Sequence, residues 1–285
     1  MAVVNTNISA SIAQAALARN ERALGTAMEQ LSTGRKINSA ADNASGLAIS
    51  ARMTSQIRGL DQAVRNANDA VSMVNTAEGA LDEITDMLQR ARELAVQSGT
   101  GTTSSNDRVF LDAEFDHLIA EIERVSANTQ WNGRNILNGA AGGAATVSGV
   151  SFQVGMDPSQ TIAVNFGNMA SDATMASLNG FGLDAATIAS AIAKSSQVIT
   201  AADVAIEAVS TQRATFGAVS NRLEHAIDNL TNVMTQSEAS RSRILDTDYA
   251  ASTSELARTQ IIQQAGTAML AQANQLPQTV LALLQ

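Results

Sequence analysis

A run of apolar residues that keeps helical step without a break constrains this chain more than anything else in it. Ile57, Leu60, Val64, Ala67, Val71, Val74, Ala77, Leu81, Ile84, Leu88, Ala91 and Ala95 follow one another at steps of three and four. Such spacing is a coiled-coil seam. The one repeated step of three, Val74 to Ala77, is a stammer and overwinds the supercoil locally. A helix of about 43 residues is roughly 65 Å long. It buries only a stripe, so other helices must lie beside it.

Two partners are legible. Leu111, Phe115, Leu118, Ile122 and Val125 step by four, three, four and three. Over about 185–244, Ile192, Ile199 and Ile206 take one heptad position. Ala202, Val209, Phe216, Leu223 and Leu230 take the other. Between the rods, 139–149 is rich in Gly and Ala, has no period and reads as a loop. Residues 150–154 and 161–166 alternate in the strand manner around Gly155, Asp157, Pro158 and Ser159, which predicts a β-hairpin. Asn132-Gly133 marks a further turn. The expected fold is mainly α: an elongated antiparallel coiled-coil-like helical bundle with one small hairpin around 150–166.

The two ends share a character. Residues 1–41 are amphipathic, with Ile8, Ile12, Leu17, Leu24, Met28 and Leu31 at helical spacing. After Arg258 no side chain is charged, and Ile262, Met269, Ala273, Leu276, Val280 and Leu283 form a seam. Seven Gln and Asn274 interrupt its apolar face, which is unlike a membrane span. The apolar surface is too small to offset the backbone entropy of ordering the ends alone. Both are therefore expected to be disordered in the monomer and to fold together only when neighbouring copies cover them.

Composition excludes several function classes. There is no cysteine, hence no disulfide framework, thiol nucleophile or cysteine metal site. A net charge of −9 with 3% aromatics makes a poor partner for nucleic acid or an anionic membrane. The first residues lack the basic and apolar regions of a cleavable signal peptide. His117 and His225 are too far apart in sequence to form a local ligand pair. Asp246 and Asp248 read as a helix cap rather than a calcium loop. No nucleophile elbow, phosphate loop or dinucleotide fingerprint is present. No catalytic, cofactor-binding or metal-ligating residue is therefore expected. The stretch 89–94, with Arg90 and Arg92, reads from spacing as a solvated helix face.

Both ends of the chain carry specific motifs. The front carries Leu31-Ser32-Thr33-Gly34-Arg35-Lys36-Ile37-Asn38-Ser39-Ala40-Ala41-Asp42, then Met53-Thr54-Ser55-Gln56-Ile57-Arg58-Gly59-Leu60 and Arg92-Glu93-Leu94-Ala95-Val96-Gln97. The far end carries Ala239-Ser240-Arg241-Ser242-Arg243-Ile244, Asp248-Tyr249-Ala250 and Gln260-Ile261-Ile262-Gln263-Gln264-Ala265-Gly266-Thr267.

In these motifs the chain resembles bacterial flagellin, and the resemblance implies a subunit that polymerises into an extracellular flagellar filament for motility. A terminal core domain of 1–42 and 245–285 would line the filament, and 43–244 would form the helical rod domain. No large variable outer domain is expected. The assembly core would include Ile8, Ile12, Leu24, Leu31, Ile262, Met269, Leu276, Val280 and Leu283. Implied partners are further copies of the chain, an export chaperone, a cap protein and hook-junction proteins. Export would run through the flagellum's own type III channel. An innate-immune Toll-like receptor would bind at Gln89, Arg90, Leu94, Gln97 and Glu114. The alternatives are a hook–filament junction protein and a secreted coiled-coil effector or signalling ligand; an enzyme is the third class.

Overall fold

The computed structural model describes residues 7–139, 149–169, 178, 180, 182–185 and 187–283, with the side chains of the last helix described to Gln275. Among them are five helices: α1 (Ile8–Thr33), α2 (Ala40–Ser98), α3 (Ser105–Asn128), α4 (Ile188–Leu245) and α5 (Tyr249–Leu283). Two antiparallel hairpins complete the described elements. One pairs β1 (Gln130–Trp131) with β2 (Arg134–Asn135), the other β3 (Gly149–Gln153) with β4 (Thr161–Asn165). By contacts the chain divides into two compact units, 1–57 with 235–285, and 58–234.

In the unit 58–234 the expected seam forms. Val74, Ala77, Leu81, Ile84, Leu88, Ala91 and Ala95 are all fully buried. The short step at Val74–Ala77 leaves α2 unbroken; the one non-helical residue inside it is Asn43. Arg92 pairs with Asp203 at 2.6 Å, and Arg213 with Asp82 at 2.9 Å. Rising positions on α2 thus meet falling positions on α4, so the two run antiparallel.

On α4 the heptad position of Ala202, Val209, Phe216 and Leu223 is buried as its spacing predicts, while the position read at Ile192, Ile199 and Ile206 is taken one residue earlier, by Ala191, Val198 and Ala205. Ala191, Ser195, Val198, Ala202, Ala205, Val209 and Phe216 face inward, whereas Ile192 is exposed and Ile199 and Ile206 sit at the rim. Small side chains let helices approach closely, so they take the interior and the branched residues flank it.

The turn from α2 to α3 is closed by a buried cation. Arg108 donates from Nε to the Ser98 carbonyl at 3.0 Å and from Nη2 to that of Thr100 at 3.2 Å. The Ser98 carbonyl belongs to the last turn of α2 and has no partner further along the helix, and that of Thr100 also accepts from the Thr103 N–H at 3.3 Å. Ser104 and Asp107 form a capping box at the start of α3. Hydrogen bonds from Ser104 hold the Asp107 carboxyl below its ordinary range.

The β3–β4 hairpin falls within one residue of expectation. Asn66 donates to the Gln153 carbonyl at 3.1 Å and Gln212 to that of Asn165 at 2.6 Å, tying it to α2 and α4. Asn132 (φ 48°) and Gly133 (φ 75°) make the tight turn of the smaller hairpin, which was expected only as a turn. Most of the Gly/Ala-rich loop, 140–148, lies outside the described residues.

Candidate functional site

Two places hold the residues singled out by sequence: the paired terminal helices and the exposed face of α2 and α3.

In the unit formed by 1–57 and 235–285, α1 starts on an Asn7 cap, whose Oδ1 accepts from the Ala10 N–H at 3.0 Å. It ends where Gly34 takes φ +69°, short of the expected limit near residue 41. Gly34 suits this left-handed position because it has no Cβ. The Thr247 N–H then donates to the Gly34 carbonyl at 3.1 Å, and the Lys36 N–H to that of Leu245 at 2.7 Å. Asp248 caps α5, its Oδ1 accepting from the N–H groups of Ala250 and Ala251. The chain's two ends are thereby held antiparallel, and α1 packs along α5.

The seam of this pair differs from the one read in the sequence. The α5 residues turned toward α1 are Ser252, Leu256, Thr259, Gln263, Gly266, Leu270 and Ala273, again at steps of four and three. Asn20 donates from Nδ2 to the Thr259 carbonyl at 2.7 Å, and Asn7 to that of Ala273 at 2.8 Å. Asn20, Ser252 and Thr259 are buried alongside Ala27 and Ala273, and Leu17, Leu24, Leu31, Leu256 and Leu270 are half-buried, so the joint mixes polar groups with aliphatic ones. Two side-chain amides bonded to backbone pin its register. Apolar periodicity could not reveal this; the recurrence of small residues at coiled-coil steps was the available signal.

The larger apolar residues stand outside that seam. Ile8, Ile12, Met28, Ile261, Ile262 and Met269 are all exposed, while Leu24 and Leu31 are half-buried in it. The side chains of Leu276, Val280 and Leu283 lie outside the described residues. Ile262 and Met269 share a heptad position seven residues apart and form a row that the described residues leave exposed.

In the unit 58–234, Arg90 donates to Glu114 Oε1 from Nη2 at 2.8 Å and from Nε at 3.0 Å, and to Glu93 at 3.1 Å. The bond to Glu114, then that to Glu93, pushes the guanidinium above its ordinary value. Gln89, Gln97 and Glu114 are exposed with it. Leu94 is not: it is fully buried in the core. A partner docking here meets the polar residues, while Leu94 holds α2 in place beneath them.

His117 and His225 are both exposed. Among the described residues no group of three His, Cys, Asp or Glu is placed to hold a metal ion. No helix among them is long and apolar enough to cross a membrane.

Residues 4–141 match the bacterial flagellin N-terminal helical region, and residues 199–284 match the bacterial flagellin C-terminal helical region. A flagellin of Halalkalibacterium halodurans is 43% identical over 283 residues, covering 99% of this chain and 100% of the relative. The flagellar filament 33 kDa core protein of Treponema phagedenis is 39% identical over 287 residues, covering 99% and 100%. Flagellin B of Vibrio cholerae is 36% identical over 377 aligned residues, covering 99% of each chain.

Proposed function

The chain belongs to the bacterial flagellin family and is a structural subunit of the extracellular flagellar filament; from that premise we propose how it assembles. Its terminal pair is an unfinished core. The seam between α1 and α5 leaves most of its leucines only half-buried, and the exposed row of Ile262 and Met269 stands on a helix segment without charge. Identical terminal pairs from neighbouring copies cover that row and order both ends as they do so. Contacts between unlike faces that do not close into a ring give an open helical tube. The subunit works by assembling rather than by catalysis.

The uncovered apolar row carries this reading. Cryo-electron microscopy of the purified full chain under assembly conditions tests it. The expected result is a helical filament with both termini at its centre. Closed oligomers, or filaments with the termini on the outside, would overturn it. A hook–filament junction protein or a secreted effector would not polymerise alone.

The remaining partners follow from the same reading. An export chaperone and the type III channel deliver the chain without a cleavable signal, and hook-junction and cap proteins bound the filament. The exposed Arg90–Glu114 pair is the receptor-facing element. Arg90→Ala is expected to lower the response of cells reporting on a Toll-like receptor at least tenfold, about 1.4 kcal/mol of binding. An unchanged response, or none to the unaltered monomer, removes the receptor role.

A further inference from the structure

We propose that Met269 is an oxidation site that decides whether a subunit can enter the filament; the inference rests on the filament reading above. Met269 is 65% exposed, against 3% for Met73 and 5% for Met169 in the core of the other unit. Accessibility governs which thioethers react, so Met269 oxidises well ahead of those two. Its position gives the reaction a consequence. It continues the row begun by Ile262, on a stretch where no side chain from Thr259 onward is charged.

Among the described residues two other methionines are exposed but differently placed. Met156 lies on the β3–β4 turn, against Gly59 in the unit 58–234. Met28 has Glu29 beside it and Glu21 one heptad earlier. Neither is flanked by uncharged sequence as Met269 is.

The oxidant is a peroxide. Its O–O bond breaks and one oxygen is transferred to the Met269 sulfur. The thioether is oxidised by two electrons to the sulfoxide, and hydrogen peroxide is reduced to water. A flexible apolar side chain becomes a polar one with a strong acceptor. Covering the row would then bury that acceptor against aliphatic groups that cannot donate to it. Within a filament the neighbouring copies shield the sulfur, so sensitivity belongs to the unassembled subunit.

The full chain is treated with limiting hydrogen peroxide, polymerised and sedimented, and both fractions are mapped by peptide mass. Sulfoxide at Met269 is expected to be depleted at least tenfold in the pellet, while sulfoxide at Met156 partitions evenly. Methionine sulfoxide reductase restores entry, and preformed filaments oxidise at Met269 at least tenfold more slowly. Met269→Leu is expected to polymerise with or without peroxide. Should that variant fail to assemble, the partition in the unaltered chain still decides. Equal sulfoxide at Met269 in both fractions overturns the inference and leaves the filament reading intact. Failure of untreated chain to polymerise overturns both.

Discussion

Replacing Ile262 and Met269 together by serine is expected to raise the critical concentration for polymerisation by about ten- to one-hundred-and-fortyfold, with the unit 58–234 unchanged. Fully burying such a side chain is worth about 1.5–3 kcal/mol. Ile262 is 42% exposed and Met269 65% exposed, so roughly half of that value is still to be gained when copies pack. The pair then contributes about 1.5–3 kcal/mol per subunit, at about 1.4 kcal/mol for each tenfold. Sedimentation against total concentration measures the change. The same thermal midpoint as the unaltered chain would show that the effect is not unfolding. An unchanged critical concentration would mean that this row is not covered on assembly.

The second large effect belongs to the other unit. Phe216 is fully buried, and its ring lies 5.4 Å from that of Phe166 at an interplanar angle of 54°. Phe166 directly follows β4, so this contact fastens the end of the hairpin to α4. Phe216→Ala removes the ring and leaves a cavity between elements too tightly packed to collapse fully. The expected cost is about 3–5 kcal/mol. That corresponds to a fall of roughly 6–20 °C in the thermal midpoint of a unit this size. Circular dichroism through a thermal ramp reads it directly. A loss below about 1 kcal/mol would show the site to be loosely packed.

The helices were legible wherever burial and hydrophobicity rank residues alike. On α2 the two orders agree, and the seam from Val74 to Ala95 is buried as its spacing predicts. On α4 they part at one of the two heptad positions, where Ala191, Ser195 and Ala205 are buried and Ile192 is left at the surface. On α5 they part further: Ser252 and Thr259 are buried and Met269 is not. Ranking by apolarity finds the face that a neighbour must cover, not the face that the chain closes on itself. The hairpin was readable because strand alternation and turn residues are local. Arg108 escaped notice because its role is set by carbonyls ten and eight residues earlier in the chain. At the proposed receptor surface, Arg90 and Glu114 are 24 residues apart, and only the antiparallel turn between α2 and α3 brings them together.

The amides and hydroxyls between α1 and α5 bear on how the two ends come apart. Only part of what holds this joint is lost on opening: Asn20 and Thr259 find in water the partners they lose in each other, while the half-buried Leu24, Leu31, Leu256 and Leu270 give up apolar cover. Asn7 and Asn20 still mark where each strand of the zipper must return. The ends can therefore separate, be drawn out as a thread and close again in the same alignment, a reversibility that a greasier joint would forfeit.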